Sequence, residues 1–150
     1  MKTKTFAKLN VVLLAITIAL FSTSCKKKYA KYDNMEVVEN TYTGNVLITS
    51  TGSDPGADFT GVGNSGKYSF VWDNPKKRAE LNYDITTPSG SVQFIINDAK
   101  GKEVLNVTRS AGGDDTFSGV SDEGKKGKWL ITIIFTNFDG DGSFSISPID

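Results

Sequence analysis

The chain has no histidine and a single cysteine among its 150 residues. A Ser-His-Asp or Cys-His catalytic site cannot be built from it. Zinc sites draw on His and Cys ligands, so the chain lacks the means for one. Acid–base chemistry would fall to carboxylates, lysine or tyrosine. Arginine is scarce, only Arg78 and Arg109, which argues against phosphate recognition through bidentate forks. A membrane-spanning run is missing as well. The apolar stretch Val11–Phe21 is eleven residues long, and a spanning helix needs roughly 20.

What that stretch does have is the layout of an export signal. Lys2, Lys4 and Lys8 precede it, and Ser22, Thr23 and Ser24 lead from it into Cys25. The segment resembles a bacterial lipoprotein signal. Thr23, Ser24 and Cys25 fit the lipobox, while Ser22 departs from the usual leucine. The resemblance implies that Cys25 is acylated and becomes the mature N-terminus. Several acyl chains, at about 0.8 kcal/mol per buried methylene, would hold the protein on a membrane without a span. The expected organisation is a signal peptide over 1–24, a lipidated Cys25 with a tether to residue 40, and one domain over 41–150. The expected location is the bacterial cell envelope, on the outer membrane, facing either the periplasm or the surface. Lys26, Lys27, Lys28 and Lys31 read as part of a solvated tether beside the lipid headgroups.

Without residues 1–24 the chain holds 14 basic and 17 acidic residues, a net charge of −3. That balance argues against nucleic acid as a partner, which wants a basic face. A domain of this length buries enough surface for a core without disulfide staples.

No convincing amphipathic helix follows the signal. Short β-prone runs recur instead, divided by Gly, Pro, Asn and Asp. They are Tyr42–Ser50, Asp58–Val62, Lys67–Asp73, Ala79–Thr86, Ser91–Asn97, Glu103–Thr108, Thr116–Val120, Lys128–Asn137 and Ser143–Pro148. Val92, Phe94 and Ile96 share one strand face. Trp129, Ile131, Ile133 and Phe135 share another, and Ile95 and Ile134 on the opposite faces suggest central strands. Asp98–Gly101 reads as a hairpin turn. Asp139-Gly140 and Asp141-Gly142 read as another, joining the last two strands. The expected fold is all-β, an antiparallel sandwich of the jelly-roll or immunoglobulin-like kind with about eight or nine strands. The stretch from Ser91 to Ile146 resembles, in a general way, the small β-sandwich modules appended to secreted bacterial enzymes.

Three groups of residues could carry chemistry. Asn137, Asp139 and Asp141 match the first half of a calcium loop, although its twelfth position falls on Pro148 where a bidentate glutamate belongs. With Asp114 and Asp115 they would form a cation site if the two loops meet; otherwise each is a polar turn. Calcium is the one cofactor this pattern suits. Tyr68, Phe70 and Trp72 form an aromatic stripe on one strand face, suited either to stacking on sugars or to the core. No spacing marks a catalytic pair among the carboxylates. The reading is a non-catalytic envelope lipoprotein, a β-sandwich binding module for a glycan or a protein partner. The alternatives are a structural subunit of an envelope complex and a carboxylate-based glycosidase.

Overall fold

The computed structural model describes residues 31–32, 34–50 and 53–150. The signal segment, Cys25 and Lys26–Lys28 lie outside them. Eight strands follow in order: β1 (Lys31–Tyr32), β2 (Met35–Asn40), β3 (Asn45–Ile48), β4 (Gly56–Asn74), β5 (Arg78–Asn97), β6 (Glu103–Ser110), β7 (Thr116–Val120) and β8 (Gly127–Ile149). Every pairing is antiparallel.

Three strands are long, and each one bends. The C-terminal half of β4, the N-terminal half of β8 and the C-terminal half of β5 pair in register, as Phe70↔Ile131 and Phe94↔Ile133 show. β2 and β6 flank them and complete a first layer. The other halves pair as Phe59↔Gly142 and Tyr83↔Phe144, and β3 and β7 complete a second layer. The register shifts fall together, between Gly61 and Gly66 in β4 and between Thr86 and Ser91 in β5. Positive φ values mark the same places: Gly63 at 69°, Gly90 at 81° and Asn137 at 45°. Bulges of this kind bend a strand and let one sheet fold over on itself.

Ring contacts across the gap show that the two layers face each other. Phe59 of the second layer meets Phe135 of the first at 5.1 Å, and Phe144 meets Phe94 at 5.5 Å and Phe70 at 6.1 Å. Trp72, Trp129, Phe70, Phe94, Leu81, Ile85, Ile96 and Ile131 are fully buried between them. The chain is thus the all-β antiparallel sandwich that its alternation implies.

Two expectations need correction. The Asp139–Gly142 segment is not a hairpin, because β8 runs through it without reversing. The nine short runs merge accordingly, six of them forming the three long strands. The stretch expected as tether also contains β1 and β2, and Met35 and Val37 of β2 are core residues. The turn expected at Asp98–Gly101 is present, closed by a 2.9 Å bond from the Gly101 N–H to the Asp98 carbonyl.

Candidate functional site

The aromatic stripe is core. Tyr68, Phe70 and Trp72 are 5%, 0% and 0% exposed, on the inward face of β4. Alternation put all three on one face, and the neighbouring strands set Met35, Ile131, Ile133 and Trp129 on that same side. The stripe offers no stacking platform for a ligand. Trp72 Nε1 donates to the Ser53 carbonyl at 2.9 Å, and Trp129 Nε1 to that of Lys125 at 2.7 Å, so both indoles are satisfied internally.

The five residues suited to a cation are spread over three places. Asn137 sits in the β8 bend, where its N–H donates to Ser65 Oγ at 2.8 Å. The Asp139 carbonyl accepts from Thr87 Oγ1 at 2.7 Å. Asp141 points outward from the second layer. Asp114 and Asp115 belong to the loop between β6 and β7. Among the described residues, no group of three or more Asp, Glu, His or Cys is gathered closely enough to hold a metal ion. A calcium loop wraps its oxygens around the ion, whereas an extended strand spreads them along its length.

Asp141 belongs instead to a shallow groove on the outer face of the second layer. Asp58, Thr60, Asp84, Thr86, Asp141 and Ser143 line about 440 Å³ of space there, with no cation among the lining residues. The register explains the grouping. Asp58 and Asp84 both face Ser143, and Asp141 faces Thr60 and Thr86. Asp141 is thus the diagonal neighbour of both other carboxylates, at a spacing of about 7–8 Å. All three project from one sheet face.

A second depression of about 250 Å³ opens at the edge of the sandwich between β6 and β7. Tyr83, Thr108, Arg109, Asp114, Thr116 and Phe117 are among the residues that line it. Phe117 stacks on Tyr83 at 5.1 Å, and Tyr83 stacks on Phe94 at 5.5 Å. Arg109 is only 3% exposed. Its Nη2 pairs with Asp115 Oδ1 at 2.5 Å, its Nη1 donates to the Ser110 carbonyl, and its buried Nε has no hydrogen-bond partner among the described residues. Burial pushes the Tyr83 phenol above its ordinary 10.0; Arg109 opposes this and Asp114 adds to it. At neutral pH the phenol keeps its proton and can donate.

The groove and the crevice are neighbours. Thr116, which lines the crevice, pairs across the ladder with Asp84, which lines the groove. Sequence reasoning singled out Asp114 and Asp141 but missed Asp58 and Asp84 of the groove and Tyr83, Arg109 and Phe117 of the crevice. A signal for Arg109 was present: it shares a strand phase with Leu105 and Val107, both packed on the core.

The chain matches no protein-family model and no curated protein. Among solved structures it is similar to an arabinose-bound α-L-arabinofuranosidase, at 11% identity and a TM-score of 0.42, over 76% of this chain and 23% of that one. It is similar to a carbohydrate-binding module in complex with β-1,4-galactotriose, at 14% identity and a TM-score of 0.44, over 79% and 91% of the two chains. A carbohydrate-binding module of Cellvibrio mixtus lichenase 5A in complex with cellotriose aligns at 14% identity and a TM-score of 0.39, over 82% and 93%. Likeness at this level assigns the chain no ligand.

Proposed function

We propose that the chain is a non-catalytic module, anchored to the bacterial envelope through lipid on Cys25, that holds a glycan on the outer face of its second layer. The groove carries this reading. Three carboxylates and three hydroxyls line it, and among the described residues no lysine or arginine does. Carboxylates accept strong, charge-assisted hydrogen bonds from hydroxyls. A ligand that offers many hydroxyls and no charge is the best match. The arrangement argues against glycosidase chemistry, which needs two acids flanking the bond to be cleaved. Here all three rise from one flat face.

The test is thermal unfolding of the full-length protein in membranes from a host fed an alkyne palmitate, against a panel of soluble polysaccharides. A binding glycan at about 100 times its dissociation constant stabilises by about 2.7 kcal/mol and raises the midpoint by several degrees. The triple variant Asp58→Asn, Asp84→Asn, Asp141→Asn should lose that rise without losing stability, because it also relieves like-charge repulsion. Cys25→Ala should lose the palmitate label. A triple variant that still responds to the glycan refutes the groove, and a Cys25→Ala chain that still labels refutes the anchor.

A further inference from the structure

The lysines and arginines are gathered at one end of the sandwich. The connection from β4 to β5 carries Lys76 and Lys77 and runs into Arg78. The turn from β5 to β6 carries Lys100 and Lys102, and the connection from β7 to β8 carries Lys125 and Lys126, with Lys128 next in β8. Hydrogen bonds join the three connections. The Gly124 N–H donates to the Lys77 carbonyl at 2.8 Å, the Lys125 N–H to Asp98 Oδ2 at 2.8 Å, and Lys102 Nζ to the Glu123 carbonyl at 3.1 Å. Among the described residues, the remaining cations are Lys31 in β1, Lys67 beside the Gly66 bend and Arg109 in β6.

The carboxylates are spread more evenly, and the molecule is polarised as a result. Asp54, Asp73, Glu103, Asp122, Glu123 and Asp150 accompany the gathered cations, and Asp98 is buried and accepts from backbone N–H groups. In the half that holds the bends, Asp58, Asp84, Asp114, Asp115, Asp139 and Asp141 stand against only Lys67 and Arg109. Lys76 pairs with Asp150 at 2.6 Å and Lys77 with Glu123 at 2.7 Å. Lys100, Lys125, Lys126 and Lys128 are exposed and form no ion pair among the described residues. Cations from separate connections act on the same acids. Glu123 is held below its ordinary pKa by Lys77 first, with Arg78 and Lys125 adding; Asp150 is held down by Lys76, with Lys126 adding.

The chain also enters at this end. β1 and β2 meet in a turn whose Asn34 carbonyl accepts the Asp73 N–H at 3.3 Å, and Asp73 lies opposite Lys128. Lys31 follows Cys25 by six positions, a reach of at most about 22 Å. Lys26, Lys27 and Lys28 lie between them in the sequence. An anchor that short keeps the domain next to the zone, about 10 Å deep, in which lipid charge is felt. We propose that the lysine-bearing end of the sandwich rests on an anionic lipid bilayer, with the bends and their aspartates turned away from it. The proposal rests on the lipid anchor proposed above and adds an orientation to it. Lipid phosphates repel the aspartate-rich half, whereas ammonium groups on flexible stems can meet them. The groove stays clear of the surface, because its Asp141–Thr86 pair lies beside the bends.

The probe is preformed phosphatidylcholine vesicles, with and without phosphatidylglycerol, to which the full-length chain is added. An amine-acylating reagent that cannot the bilayer enter is applied, and the rate at each lysine is read by mass spectrometry. On the anionic vesicles Lys100, Lys125, Lys126 and Lys128 should react at least about threefold more slowly than on the neutral ones, while Lys67 keeps its rate. Raised salt should restore the rates by screening the lipid charge. The variant Lys100→Gln, Lys125→Gln, Lys126→Gln alters only exposed side chains and should keep its unfolding midpoint. In it, Lys128 should react equally fast on both kinds of vesicle. Equal rates at the four lysines of the parent overturn the proposal. Protection that extends to Lys67, or that persists at Lys128 of the variant, overturns it too. The palmitate label on the same sample separates the two readings. A labelled chain without protection refutes this surface and leaves the anchor standing. An unlabelled chain that is still protected refutes the anchor and upholds the surface, and an unlabelled, unprotected chain refutes both.

Discussion

Gly140 decides whether β8 can bend. Its φ is 141°, and a side chain there would run into the Thr86 carbonyl of the neighbouring strand. Gly140→Ala should cost about 2 kcal/mol or more, since backbone strain alone accounts for 1–3 kcal/mol. The unfolding midpoint should fall by roughly 8 °C or more. Gly63 is the matched comparison. Its φ is 69°, but nothing lies within 4 Å of an added Cβ. Asparagine tolerates that conformation, so Gly63→Asn should leave the midpoint almost unchanged. Equal losses in the two variants would show that conformation alone sets the cost. The same glycine explains the misread hairpin. Asp-Gly pairs favour unusual φ, which serves a tight turn and a strand bend equally well. The residues show that the regular strand is interrupted; they do not show whether the chain then reverses. Arg109 is the opposite case. Its phase with Leu105 and Val107 predicts burial, yet the missing acceptor at Nε appears only once β5 and β7 are packed around it.

At the level of elements, one carboxylate ties together two of the connections between strands. Oδ1 of Asp98 accepts the N–H groups of Lys100 and Lys102 at 2.8 and 2.9 Å, and Oδ2 accepts that of Lys125 at 2.8 Å. This one side chain closes the turn between β5 and β6 and ties it to the loop between β7 and β8. Those bonds, the one from Lys125 foremost, hold its pKa below the usual 3.8. The group is depressed in the folded state. Its contribution is therefore complete above 3.8 and is lost as pH falls through the lower folded value. Asp98→Asn should lower the unfolding midpoint by several degrees at pH 7 and show a shallower further loss below pH 3.8 than the parent. Parallel pH curves for the two proteins would rule out this role. The turn itself was legible from Asp98 and Gly101, because both residues favour it locally. The tie to Lys125 was not, because it spans 27 positions. β2 was missed for a related reason. Glu36 and Glu39 make it look like more of the charged tether, and only its pairing with β4 shows Met35 and Val37 turned into the core.

For the molecule as a whole, the alternation along each run was enough to sort inward from outward residues, and hence to give a sandwich. It could not show that β4, β5 and β8 each belong to both layers. That continuity has an energetic consequence. The layers share three strands, and Phe59, Phe70, Phe94, Phe135 and Phe144 touch across the gap between them. Parting one layer from the other would expose all five rings and break the bends at the same time. The two layers should therefore unfold as one cooperative unit. Native-state hydrogen exchange reads this directly. Amides of Phe59 and Phe144 in the second layer should exchange with the same free energy as those of Phe70 and Ile131 in the first, and that value should equal the global stability. The edge strands β3, β6 and β7, each paired along one side only, should exchange more easily. A second layer that opens about 2 kcal/mol or more below the first would mean that the bends act as hinges between separate sheets. The groove would then lie on the weaker of two units, and a glycan bound there should protect that layer alone.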